Sequence, residues 1–233
     1  MRAQIVGISF AVAPGEAAYI PLRHSYAGAP GQLDVDTVLA RLKPWLEDGS
    51  RLKLGQNIKY DTHVFANAGI AVRGAMSCTV GCPYEGDIAP SQVGHVAALM
   101  RDIGVQRIAV ADTIGVGTPR AVQAAMAAAL QHYDLSSVAG HFHDTYGQAL
   151  ANTLACLEMG IARFETSIAG LGGCPYAKGA TGNVATADVV YMLQGMGIET
   201  GLDLDRLVDA AWFISGRLNR QPNSRVSVAR RRR

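Results

Sequence analysis

Aromatic residues are scarce, 6% of 233, and charged residues make up only 17%. Disorder requires the opposite balance, and 49% of the chain is hydrophobic, enough for a sizeable core. No uncharged apolar run reaches the ~18 residues of a membrane helix, and the N-terminus lacks the basic and apolar regions of a signal peptide. Four cysteines (Cys78, Cys82, Cys156 and Cys174) are too few for a disulfide framework in a chain of this length, so the expected setting is a reducing cytoplasm. Charge of one sign is also sparse. The net charge is +2, but residues 1–74 carry +2, residues 75–229 carry −4, and the terminal run Arg230 to Arg233 supplies +4. The body is slightly acidic and the tail basic. The tail reads as a solvated terminus rather than a nucleic-acid or membrane contact.

What the chain has in quantity is glycine, 26 residues, set between apolar segments. Ile5 to Phe10 and Ala18 to Leu22, joined by Pro14-Gly15, predict a β-hairpin. Asp34 or Asp36 caps a helix bearing Val38, Leu39, Leu42, Trp45 and Leu46 at helical spacing. A strand over 52–56, a helix over 60–68 and a strand over 70–78 follow. Then a regular alternation sets in: helix 91–103, strand 107–111, helix 118–133, strand 137–142, helix 148–159, strand 163–168, and helices 186–196 and 204–218. Strand–helix alternation with short loops predicts βαβ units and parallel pairing, with four such strands from residue 70 onward.

Chemistry concentrates at predicted strand ends. In His141-Phe142-His143-Asp144, alternation turns both imidazoles to one face. That is either a metal platform or two unrelated loop histidines. Residues 169–183 form a glycine-rich segment with an accessible thiol at Cys174 and an amide oxygen at Asn183, a donor suited to a hard cation. Asp112 ends a strand and places a carboxylate on the same rim. Cys78 and Cys82 form a CxxxC whose spacing does not fit a zinc knuckle.

From about Val72 to Ala229 the chain resembles the C-terminal half of the hydroxymethylglutaryl-CoA lyase family, metal-dependent (β/α)8-barrel enzymes. The strings that carry the likeness are SCTVGCPYEG (77–86), DTIGVGTP (112–119), HFHDTYGQALANTLACLEMG (141–160) and SIAGLGGCPYAKGATGNVATADVVYML (167–193). The resemblance implies that His141, His143 and Asn183 hold a divalent ion, Mg²⁺ or Mn²⁺. It also implies that Cys174 is a mobile-loop thiol in proton transfer, that Asp112 is an active-site carboxylate, and that the substrate is an acyl-CoA cleaved in a retro-Claisen reaction. Residues 1–74 resemble part of the 3′–5′ exonuclease domain of family-A DNA polymerases, through QIVGISFAVAPGEAAYIPLRHSYAGAP (4–30), RLKPWLED (41–48) and LGQNIKYDTHVFANAGIAVRG (54–74). That likeness implies that Asp61 is one of four metal-holding carboxylates, the other three having no counterpart here.

Taken together, these readings predict a chimera. An RNase H-like exonuclease fragment (1–74) precedes about four β/α units of a partial barrel (75–229) and a basic tail (230–233), in a mixed α/β sheet that the N-terminal hairpin extends with antiparallel strands. The lyase family's early RDG-type motif has no equivalent, since Arg101-Asp102 lies late in a helix. A neutral His-His-Asn set without a carboxylate predicts weak metal binding, shifted from Mg²⁺ toward Mn²⁺, Co²⁺ or Zn²⁺. Activity is expected to be weak or lost. Half-barrel edges leave three outcomes open: pairing with a second copy, covering by the N-terminal segment, or aggregation; a nucleic-acid partner is disfavoured, and no membrane partner is expected.

Overall fold

The computed structural model describes residues 5–13, 16–48, 71–173 and 181–231. The predicted strand 52–56 and helix 60–68, together with Asp61, Cys174 and the Pro14-Gly15 turn, lie outside the described residues. The chain divides into two compact units, residues 1–73 with 100–106, and 74–99 with 107–233.

In the first unit, β1 (Gly7–Ala13) and β2 (Glu16–Pro21) pair antiparallel, Gly7 opposite Pro21 and Phe10 opposite Ala18. They form a two-stranded sheet of their own. The expected antiparallel extension of the parallel sheet is therefore not what forms. The hairpin instead buries Ile5 and Leu22 with Val35 and Val38 of α1 (Val35–Glu47). Of the two candidate caps, Asp34 is the one used: its Oδ1 accepts from the Thr37 amide at 2.8 Å. A proline, Pro44, lies within the helix.

The second unit is a mixed α/β fold built on a four-stranded sheet ordered β3 (Arg73–Met76), β6 (Arg107–Asp112), β7 (Val138–Phe142), β8 (Phe164–Glu165). Strand β7 runs parallel to both β6 and β8. The interiors of β6 and β7, residues 108–111 and 138–140, are apolar and buried. Between β3 and β6 come a small hairpin that the sequence reading did not anticipate, β4 (Gly81–Cys82) with β5 (Gly86–Asp87), and α2 (Pro90–Asp102). Helices α3 (Pro119–Leu130) and α4 (Ala149–Glu158) connect the next strands, and α5 (Thr186–Gly195), α6 (Leu204–Arg217) and α7 (Arg225–Ala229) complete the unit. Ile108, Val110, Val122, Met126, Val138, Phe142, Cys156 and Ile161 are all essentially inaccessible and form its core.

The predicted strand 163–168 is shorter than expected. Pairing with β7 stops at Glu165; Ser167 then makes a single parallel bridge to Ala185, and the chain passes through a 3₁₀ turn at Ile168–Gly170 with Ala169 at φ 58°, a left-handed conformation. Helix α7 was not anticipated. Asp188 of α5 organises its start: the Asp188 carboxylate accepts from the Ser224 hydroxyl at 2.7 Å and from the amides of Val226 at 2.9 Å and Arg225 at 3.2 Å. This buried carboxylate satisfies donors that a helix N-terminus leaves open. Among the described residues, no helix is long and apolar enough to cross a membrane.

Cys156 lies in the core with 0% exposure, and burial pushes its thiol from its ordinary 9.0 up to about 12. At pH 8 the native chain is expected to leave Cys156 unmodified by iodoacetamide while the urea-unfolded chain is alkylated there, read by peptide mass spectrometry. Because the folded state holds this proton more tightly, stability is unaffected below pH 9.0 and falls as pH rises from there toward 12. Rapid native alkylation of Cys156 would contradict its placement.

Candidate functional site

The site forms where β6 and β7 end. Asp112 is the last residue of β6, paired in register with Phe142. The sequence placed its carboxylate on the rim, but it is 1% exposed. The loop folds back over it: Oδ2 accepts from the Gly117 amide at 2.8 Å and Oδ1 from the Val116 amide at 3.2 Å. A Cβ at Gly117 would come within 2.8 Å of Oδ2, so glycine is what lets the backbone close on the carboxylate. Asn152 of α4 ties down the same loop, its Nδ2 donating to the Gly117 carbonyl at 2.8 Å. Burial raises the Asp112 pKa, opposed by the three loop amides and by His143. Asp112 is thus placed as the anchor of its own loop.

The alternation read from His141-Phe142-His143 appears as expected. Phe142 is buried on one face, and the two imidazoles sit together on the other with ring centroids 5.4 Å apart. Their surroundings differ. His143 is 5% exposed, and its Nδ1 is buried without a hydrogen-bond partner. Burial lowers its pKa, against the opposing pulls of the Thr181 carbonyl and the Asp112 charge, which favours a neutral ring. His141 is partly open, and its Nδ1 lies 2.7 Å from Oε2 of Glu165. Glu165 was not among the candidates. Its signal was the cross-strand register, because His141 and Glu165 are directly paired in the parallel ladder of β7 and β8.

Asn183 reaches the same place by a short antiparallel bridge to His143. The Val184 amide donates to the Phe142 carbonyl at 2.9 Å, and the Asp144 amide to the Gly182 carbonyl at 3.1 Å. The Asn183 side chain donates through Nδ2 to the Leu171 carbonyl at 3.0 Å, leaving its Oδ1 buried and without a partner. The approach is close: a Cβ on Gly182 would fall 1.7 Å from the Gly170 carbonyl oxygen. The structure therefore brings His141, His143 and Asn183 together. Among the described residues no group of three or more His, Cys, Asp or Glu is placed to hold a metal, and here the third donor is an amide. Cys78 and Cys82 are half-buried. A cavity of about 590 Å³ lined by Trp212, Ser215, Asn219, Arg220 and Arg231 includes none of the predicted site residues.

The family model described as HMGL-like matches residues 50–214. The chain belongs to the HMGL-like family. Its relatives include the mitochondrial hydroxymethylglutaryl-CoA lyase of Bos taurus, 54% identical over 162 residues, a match covering 70% of this chain and 50% of that protein. The crystal structure of the Pseudomonas aeruginosa hydroxymethylglutaryl-CoA lyase superposes with a TM-score of 0.69 at 48% identity, covering 74% of this chain and 57% of that one. An Acinetobacter baumannii HMG-CoA lyase in complex with coenzyme A and 3-methylmalate gives 0.67 at 32% identity, covering 73% and 62%. The chain spans about half the length of the curated HMGL-like relatives it matches. A second family model, 3′–5′ exonuclease, matches residues 1–80, a minor part of the chain that overlaps the HMGL-like match over residues 50–80.

Replacing Asp112 with Ala is expected to lower unfolding stability by about 1–3 kcal/mol for each buried loop amide left without an acceptor, measured by urea denaturation. Stability indistinguishable from the unmutated chain would show that the loop does not depend on this carboxylate.

Proposed function

We propose that residues 75–229 form the metal-holding half of a hydroxymethylglutaryl-CoA lyase site, arranged as a partial (β/α) barrel, and that this 233-residue chain turns substrate over poorly. The observation that carries the reading is the pair of buried, unpartnered acceptors beside His141: Nδ1 of His143 and Oδ1 of Asn183. Each costs about 1–3 kcal/mol when left unpaired, and both suit a divalent cation. The donors fit such an ion, but two imidazoles and an amide oxygen favour Mn²⁺, Co²⁺ or Zn²⁺ over Mg²⁺, which prefers carboxylate oxygen.

A divalent ion held by His141, His143 and Asn183 would polarise substrate oxygens and stabilise the charge that develops as a carbon–carbon bond breaks. The remaining work falls to the protein. Asp112 fixes the loop of residues 115–117 against the strand end. Burial lowers the His143 pKa and so favours the neutral ring, the form able to act as a donor. Cys174 supplies or removes the proton as the acyl-CoA substrate loses its C3 hydroxyl proton and the acetyl-CoA enolate is protonated. Turnover is expected to be poor because, among the described residues, no Arg-Asp pair equivalent to the family's early motif lies at this strand-end group.

Mn²⁺ added to the full chain is expected to bind weakly, and His143→Ala to weaken it at least tenfold, read by electron paramagnetic resonance of free Mn²⁺. Binding unchanged by that substitution would refute the site. A coupled assay for acetoacetate is expected to stay near background; robust Mn²⁺-dependent release, abolished by His143→Ala, would overturn the claim of poor turnover.

We infer further that the chain is a chimera, with residues 1–74 descended from a polymerase-type 3′–5′ exonuclease and residues 230–233 a basic tail. The separate match over residues 1–80 and the division between compact units at Arg73 and Gly74 support this. With a single carboxylate, Asp61, in place of a two-metal cluster, the segment is expected to lack nuclease activity. No binding to single-stranded DNA is expected from the chain with its arginine tail deleted. Binding that persists without the tail and is lost in Asp61→Ala would instead give the exonuclease remnant a function.

A further inference from the structure

We propose that Glu165 is a positioning residue for His141, fixing which ring nitrogen carries the proton and so which one is offered to a cation. The inference rests on the metal-site reading above and adds to it a carboxylate that the donor set itself lacks.

Three observations carry it. The Nδ1 to Oε2 separation is 2.7 Å, short for a nitrogen–oxygen pair and typical of a charge-assisted bond. The two residues are direct partners in the parallel ladder, so the backbone sets their adjacency rather than a chance rotamer. The strand that presents Glu165 is held on both sides of it. Phe164 packs its ring against Phe142 at 6.4 Å, and the Thr166 hydroxyl bonds that of Thr186 at 2.8 Å.

The chemistry then follows from donor and acceptor inventory. An ionised carboxylate can only accept, so the proton in this bond sits on Nδ1 of His141. In the neutral ring the lone pair is then on Nε2, the nitrogen that would hold a cation. Histidines that hold metals commonly donate their second ring N–H to a carboxylate in this way, and removing that partner typically costs 10–100-fold in metal affinity. His143 has no such partner at Nδ1, so the two histidines of one HxH motif are oriented by different means. The negative charge of Glu165, one hydrogen bond from a ligand, also partly offsets the neutrality of the His-His-Asn set.

The test uses the full chain, first without metal. Long-range ¹H–¹⁵N correlation spectra at neutral pH are expected to show His141 as the Nδ1–H tautomer. Glu165→Gln, whose amide oxygen still accepts, should keep that tautomer, with Mn²⁺ affinity reduced only a few-fold. Glu165→Ala should give mixed tautomers and a 10–100-fold loss of Mn²⁺ affinity, with the His143 resonances unmoved. An Nε2–H tautomer in the unmutated chain would overturn the proposal. So would an alanine variant unchanged in both tautomer and affinity. Should that variant not fold, the tautomer of the unmutated chain decides alone. If the unmutated chain binds no Mn²⁺, the metal reading fails, while an Nδ1–H tautomer would still support the role of Glu165.

Discussion

The parallel register of β7 between β6 and β8 is the constraint on which the site depends. On one side it sets Asp112 opposite Phe142, and on the other Gly140 opposite Phe164 and His141 opposite Glu165. Side chains alternate, so burying Phe142 forces His141 and His143 onto the opposite face. A slip of one residue would invert every side chain. It would expose Phe142, losing about 1.5–3 kcal/mol of burial, and drive imidazoles into an apolar core. The tight packing at Gly140, where a Cβ would lie 2.8 Å from the Phe142 ring, leaves no alternative arrangement on that side.

Beyond the strand end, backbone hydrogen bonds carry the same order into the loops. The His143 amide donates to the Asp112 carbonyl at 3.2 Å, while the Val184 amide reaches the Phe142 carbonyl. Three separate segments, ending β6, ending β7 and preceding α5, are thereby fixed relative to one another without a regular element between them. Glycine makes this feasible at Gly182, which passes against the Gly170 carbonyl with no room for a side chain. What this frame holds is not fully satisfied. The interior of the unit, from Ile108 to Ile161, is almost wholly inaccessible to solvent, and its burial offsets the local cost of acceptors left unpaired at His143 and Asn183.

Much of this was legible in the sequence because it is written in local patterns. Alternation alone turned His141 and His143 to one face, strand–helix alternation with short loops marked β6 and β7 as parallel strands, and Asp34 or Asp36 before an apolar-periodic segment marked the start of α1. What was not legible depends on contacts between distant residues. Glu165 meets His141 only through strand register, which no spacing within one strand reveals. Asp112 looked like a rim carboxylate, and only the backward fold of residues 115–117 over it shows it to be an internal anchor. The shortening of β8 goes with a change of partner, from β7 at Glu165 to Ala185 at Ser167, which no local pattern announces. The N-terminal hairpin carried the correct strand pattern, but pattern does not state which sheet a hairpin joins, and here it forms its own against α1.

The two histidines show why residue identity alone underdescribes such a site. His143 is kept neutral by desolvation, with a lone-pair nitrogen facing no protein donor. His141 stands partly in solvent, where a carboxylate rather than burial governs its ring. A donor set judged from its ligands alone is two imidazoles and an amide, all neutral, and would rank as a poor host for a hard cation. Counted with Glu165, the same site carries one negative charge through a hydrogen bond instead of through direct coordination. That arrangement strengthens the imidazole as a donor without changing its softness. At the proposed site it would therefore raise affinity for ions that already favour nitrogen while leaving the discrimination against Mg²⁺ in place.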